Sequence, residues 1–171
     1  MKSKMKYGTL VFSLFMLLLL MGCDPFAKSK TEFYDSTKST NLSEESVNSV
    51  ALNSTANDVT GAFGKPIEVN IVANPKSKYL VYEGIEFGII EDKVISYYFN
   101  NNYQTTLGIK TGDTKENVIQ AYGENFYERV ESGLDTIGYF DKENMINLEI
   151  GFKENKIVLL MIKKIGYPIE N

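Results

Sequence analysis

Two eleven-residue stretches 63 positions apart constrain the fold more than anything else in the chain: GIEFGIIEDKV at 84–94 and NLEIGFKENKI at 147–157. Apolar residues alternate in both, Ile85, Phe87 and Ile89 in the first and Leu148, Ile150 and Phe152 in the second. That is the period of a half-buried strand. The pairs Glu91-Asp92 and Glu154-Asn155 then read as two-residue turns, and each leads into a second apolar run, so each stretch predicts a hairpin. Glu86, Gly88, Glu91 and Lys93 recur as Glu149, Gly151, Glu154 and Lys156.

A second match precedes the first, with an offset of 59: Thr55, Val59, Ala62, Phe63 and Gly64 meet Thr114, Val118, Ala121, Tyr122 and Gly123. Val118, Ala121 and Tyr122 fall at i, i+3 and i+4, one face of a short helix. Ser54 and Asp113 are the expected N-caps, with Glu116 completing a box. Gly64 and Gly123 end the helices, and Pro66 keeps the first from resuming. KSKYLVYEG and DTIGYFDKE fill the interval to the hairpins as a further strand with unequal loops. The predicted fold class is therefore α+β, two tandem modules at 43–104 and 105–171. Each has one or two short helices packed on a three- to four-stranded antiparallel sheet.

The spacing G-x-T-x-x-x-V-x-x-x-x-G-x-P ahead of a short β-meander resembles the SmpA/OmlA-type lipoproteins of bacterial envelopes. It is also similar to the tandem modules of the β-lactamase inhibitory proteins. The second copy supplies Gly112, Thr114, Val118 and Gly123, with Asn125 where the proline would stand; the first supplies Thr55, Val59, Gly64 and Pro66, with Asn53 for the leading glycine. The resemblance implies two-layer modules that bind other proteins.

The N-terminus gives a location. Lys2, Lys4 and Lys6 precede an apolar run from Tyr7 to Met21, a signal peptide at 1–22 too short to span a bilayer as a helix. It ends in LLMGC, and Cys23 is the chain's single cysteine. This resembles the lipobox of bacterial lipoproteins, which implies a diacylglycerol on the Cys23 thiol, a palmitate-type anchor and attachment to the outer side of the cell membrane. Residues 23–42, rich in Ser, Thr and Lys, are expected to be a flexible tether, because so few apolar groups cannot offset the entropy of ordering. Leu42, Val47, Val50 and Ala51 have helical spacing behind a possible cap at Ser43.

Composition excludes several functions. Three of the 18 basic residues and none of the 22 acidic ones lie before Cys23, so the remainder carries 15 against 22, a formal charge of −7. That charge repels nucleic acid and anionic head groups. There is no histidine, and Cys23 is assigned to the anchor, so Ser–His–Asp and Cys–His catalysis and the usual zinc or haem ligands are absent. Glu86 and Glu149, repeat equivalents, are better read as solvated strand residues than as a glycosidase pair. The expectation is a protein without catalytic residues, metal or cofactor.

Function is then expected on the sheet. The two hairpins place Ile85, Phe87, Ile89, Val94 and Tyr98, with Leu148, Ile150, Phe152, Ile157, Leu159 and Met161, on the face that packs the helices. The other face carries Ile95, Tyr97, Phe99, Val158, Leu160 and Ile162, with Glu86 and Glu149 beside them and Gly88 and Gly151 forming a shallow groove. Those eight side chains are the expected surface for an envelope protein partner; burial of that face beneath the other module or the tether is the competing expectation. A small-ligand site for a peptide or glycan and a purely structural role are the alternative functions.

Overall fold

The computed structural model describes residues 30–74, 76–100 and 103–167. Residues 1–22 and the lipidation candidate Cys23 lie outside the described residues. The chain divides into two units between Phe33 and Tyr34, and the strands described below all belong to the second.

Helix α1 (Lys30–Ser36) comes first, followed by a miniature hairpin, β1 (Ser46–Val47) and β2 (Val50–Ala51). Helix α2 (Ala56–Phe63) leads into β3 (Glu68–Ala73), β4 (Lys76–Tyr82), β5 (Ile85–Ile90) and β6 (Lys93–Phe99). Helix α3 (Lys115–Tyr122) leads into β7 (Tyr127–Glu131), β8 (Leu134–Asp141), β9 (Ile146–Lys153) and β10 (Lys156–Lys164). The last eight strands form one antiparallel sheet of order β3-β4-β5-β6-β10-β9-β8-β7.

This overturns the expected fold class. The chain does not build two tandem α+β modules with separate sheets; it is mostly β, with one sheet running through both halves. The join is a seam of ordinary ladder pairing between β6 and β10, with Phe99 opposite Leu160, Tyr98 opposite Met161, Tyr97 opposite Ile162 and Ser96 opposite Lys163. An unpaired β6 would leave a row of backbone donors and acceptors without partners, and β10 satisfies them.

Local chemistry explains the elements. Thr55 and Thr114 are the N-caps, each in a reciprocal box with Asp58 or Asn117. The expected caps Ser54 and Asp113 stand one residue earlier and instead close the preceding turns, accepting from the N–H groups of Ala51 and Lys110. Gly64 and Gly123 stop the helices at φ +77° and +86°. Their ψ values of −152° and −175° lie in a region open essentially only to glycine, not in the left-handed helical region. The hairpin turns Glu91-Asp92 and Glu154-Asn155 all have positive φ, as two-residue turns that follow the strand twist require.

One face of the sheet carries the core. Val59 of α2 and Val118 of α3 are fully buried, packed with Phe87, Phe99, Tyr139, Leu148, Ile150 and Leu160. Phe63 meets the rings of Tyr82 and Phe87, and Tyr122 that of Tyr139. Leu42, Val47 and Val50 join this core. Their spacing predicts a helix, but Asn48 and Ser49 both have positive φ and turn the segment into the β1–β2 hairpin. The end of the expected tether is docked as well. Thr40 N–H donates to the Phe140 carbonyl, and Leu42 N–H donates to Asp141 at 2.9 Å.

Candidate functional site

The face opposite the core is read from the register. Across all eight strands one row of facing residues runs Glu68, Val81, Glu86, Tyr98, Met161, Glu149, Gly138, Tyr127. Its centre is apolar and half-exposed: Tyr79, Val81, Tyr98, Leu159 and Met161, with Lys163 and Glu86 among them. At the β8 end Tyr34 of α1 stands edge-on to Phe140, which in turn stacks on Tyr127 at 4.8 Å.

This is not the surface the alternation predicts. Tyr97, Phe99, Leu160 and Ile162 are at most 1% exposed and belong to the core beneath the helices. Tyr98, Leu159 and Met161, expected to pack the helices, face the other way. The reason is a pair of β-bulges. Gly88 faces Ser96 and Ile89 faces Val94, which leaves Ile95 as an extra residue in β6. Gly151 faces Leu159 and Phe152 faces Ile157, which leaves Val158 extra in β10. One inserted residue reverses the side assignment of everything beyond it. Ile95 is buried on the outer face, with its Cδ1 beside Gly88, and Val158 is half-exposed. The glycines open no groove, because Ser96, Tyr79 and Ile95 fill the space at Gly88 and Leu134 that at Gly151.

Glu86 and Glu149 do lie on the outer face, in different settings. Glu149 is 8% exposed and sits at the centre of a polar network. Its Oε1 accepts from Tyr127 Oη at 2.6 Å and from Arg129 Nε and Nη2 at 3.1 and 2.8 Å. Lys163 Nζ donates to Oε2 at 3.0 Å. Asn147 bridges Tyr127 to the Tyr139 carbonyl, and Arg129 also pairs with Glu131. Burial opposes the Glu149 charge, but Lys163, Tyr127 and Arg129 together outweigh it and hold the carboxyl below its ordinary value. Glu86 is half-exposed and accepts a single long bond from Tyr98 Oη, at 3.3 Å. Burial lifts its carboxyl above the ordinary value, the Tyr98 bond partly opposes this, and neighbouring Glu68 adds to it.

Sequence reasoning missed Tyr127, Arg129 and Lys163. Arg129 carried a signal nonetheless, as the only arginine in the chain. Arginine is the cation suited to a buried, multiply bonded carboxylate.

Two further features lie elsewhere. A groove of about 360 Å³ beside β7 is lined by Lys115, Glu128, Arg129, Val130, Asp135, Thr136, Ile137, Phe152 and Asn155. Under the core face Glu45 is 7% exposed, and its carboxylate accepts from Tyr122 Oη at 2.9 Å and the Thr106 N–H at 3.2 Å. The nearby Tyr97 hydroxyl, fully buried, has no hydrogen-bond partner among the described residues.

No family model and no curated protein matches the chain. Among solved structures it is similar to an extracellular protein containing a SCP domain from Bacillus anthracis strain Ames, with a TM-score of 0.52 and 12% identity over 81% of this chain and 50% of that one. The likeness is one of fold. A weaker similarity, with a TM-score of 0.45 and 11% identity over 67% of this chain and 44% of that one, is to a cysteine-rich secretory protein from Staphylococcus aureus. The chain spans about half the length of the first of these proteins or less of the second. The single eight-stranded sheet and the likeness of fold to the first of these structures overturn the expected resemblance to SmpA/OmlA-type and β-lactamase-inhibitory modules. That resemblance rested on residues that cap and stop a short helix before a meander, a task any such helix sets.

Proposed function

We propose that the chain is an extracytoplasmic, lipid-anchored module that binds another protein of the cell envelope on the outer face of its sheet. In this reading Cys23 carries the acyl anchor, and the protein has no catalytic residues, metal or cofactor. The support for the anchor is the LLMGC stretch that ends the apolar run at Cys23; among the described residues no helix is long and apolar enough to cross a membrane. The extracellular description of the Bacillus anthracis neighbour agrees with that location.

The observation that carries the reading is the half-exposed strip of Tyr79, Val81, Tyr98, Leu159 and Met161 between two acidic positions. Flat apolar surface with tyrosine anchors and a polar rim is the composition of a docking face. A small-ligand site has one observation in its favour, the groove beside β7. Its volume sits near the lower end of ligand pockets. Its cations are already engaged, Lys115 by Glu128 and Arg129 by Glu149 and Glu131.

The test is a photo-crosslinking residue at Tyr98 in the full-length chain, expressed in its cell. One crosslinked protein is expected, lost on Met161→Ser with thermal stability nearly unchanged. Crosslinking that ignores Met161, or none at all, would reject the outer face. Cys23→Ala should release the protein from membranes and end its uptake of labelled fatty acid.

A further inference from the structure

The two halves place the same residues at equivalent sheet positions but treat one carboxylate differently, and the difference specifies a partner. In the second half, Tyr127 faces Gly138, which faces Glu149, while Arg129 faces Thr136, which faces Gly151. In the first half, Glu68 faces Val81, which faces Glu86, while Asn70 faces Tyr79, which faces Gly88. Glu86 therefore stands where Glu149 stands, with Glu68 in the place of Tyr127 and Asn70 in the place of Arg129. Lys163, the third donor to Glu149, faces Asn147 on the neighbouring strand. The equivalent residue beyond the end of β6 is Asn100, whose N–H meets the Gly84 carbonyl.

So the three groups that neutralise and hydrogen-bond Glu149 are a phenol, a guanidinium and an ammonium, and their counterparts around Glu86 are a carboxylate and two amides. Among the described residues no lysine or arginine pairs with Glu68 or Glu86. Two strand spacings separate those two carboxylates, about 10 Å between backbones, with half-exposed Val81 between them and Tyr98 alongside. The protein itself shows what a glutamate at this position takes when cations are in reach.

We infer that the first half of the outer face is a recognition site for a lysine or arginine side chain on a basic segment of the protein partner, seated between Glu68 and Glu86. This rests on the docking face proposed above and deepens it. The aliphatic stem of the partner residue covers Val81, and its charged head meets the two carboxylates. The acidic balance of the chain, 22 acidic against 18 basic residues, draws a basic partner in. In the second half the same chemistry is satisfied internally, so only one such seat is open.

The experiment uses the purified full-length chain in detergent micelles and two fluorescein-labelled ten-residue peptides, one alternating Lys with Leu, the other Glu with Leu. Anisotropy should show binding of the lysine peptide alone, weakened by 0.5 M salt. Glu68→Gln with Glu86→Gln should weaken it at least ten-fold. Glu68→Tyr with Asn70→Arg, which gives the first half two of the three donors of the second, should weaken it as much while leaving the melting temperature equal or higher. Equal binding by all three proteins, or no preference for lysine over glutamate, would overturn the inference. If the Tyr98 crosslink survives in the Gln pair while peptide binding does not depend on it, the docking face stands and the cation seat falls. If the crosslink at Tyr98 is also absent, the docking face falls with it.

Discussion

The ring of Tyr127 lies across Gly138, in the space a Cβ on that residue would need. The glycine is thus required by its neighbour, not by its own backbone. Gly138→Ala must push the phenol aside, and with it the 2.6 Å bond to Glu149 and the stack on Phe140. Overpacking of this kind costs about 1–3 kcal/mol, or roughly 2–10 °C in a chain of this size. Gly151→Ala meets only the flexible tip of Leu134 at 3.1 Å and should cost less. Melting curves of the two variants give the order directly.

Removing the Glu149 carboxylate leaves Lys163 without its counter-charge and Arg129 with Glu131 alone, both cations largely buried. Glu149→Ala should destabilise by about 3–5 kcal/mol, the usual result of breaking a buried pair from one side. Because the folded carboxyl is held below its ordinary value of 4.5, its contribution is present above that pH and is lost as pH falls through the folded value. Stability of the wild type should therefore fall more steeply below about pH 4.5 than that of the variant.

Glu45 has the opposite sign. Burial raises its carboxyl above the ordinary value, with Tyr122 and the Thr106 N–H opposing only part of the shift. Its stabilising term is complete at low pH and is lost as pH rises through the folded value. Glu45→Gln keeps both neighbours supplied and removes the charge, so its melting temperature should gain on the wild type as pH is raised from 4 to 7.5. A constant difference across that range would contradict the assignment.

The hydroxyls of two core tyrosines separate satisfied from unsatisfied polarity. Tyr97→Phe removes a buried hydroxyl without a partner and should hold or raise the melting temperature. Tyr122→Phe removes the donor to Glu45 and should cost about 1–3 kcal/mol of stability. Tyr97→Ala should cost about 3–5 kcal/mol as a cavity, whereas Tyr98→Ala, half-exposed on the other face, should cost far less.

These residues also mark how much could be read from the sequence. The turns at Glu91-Asp92 and Glu154-Asn155, the pairing of Ile89 with Val94 and Phe152 with Ile157, and both capped helices follow from local chemistry. Local patterns carry them because the interacting groups are a few residues apart. The bulges at Ile95 and Val158 left no trace, since an apolar residue added to an apolar strand changes the phase but not the composition. For that reason Tyr97, Phe99, Leu160 and Ile162 were expected outside and lie inside. The β6–β10 seam, the docking of Leu42 on Asp141 and the convergence of Tyr127, Arg129 and Lys163 on Glu149 join residues far apart in sequence, which no periodicity encodes.

The seam has a consequence for how the protein comes into being. The partner of β6 on the side away from β5 is β10, made only after β7, β8 and β9. Until residues 156–164 arrive, β6 presents an unpaired edge and the core face over Phe99 and Tyr97 lacks Leu160 and Ile162. A chain emerging from its N-terminus therefore cannot complete its first half ahead of its second, as independent beads would. Folding waits for β10, at the slow rate of sheets closed by distant pairings, and the sheet should melt in one calorimetric transition. A chain cut short before Lys156 would carry an open strand edge, for which the unpaired strands of other chains are the nearest substitute for β10.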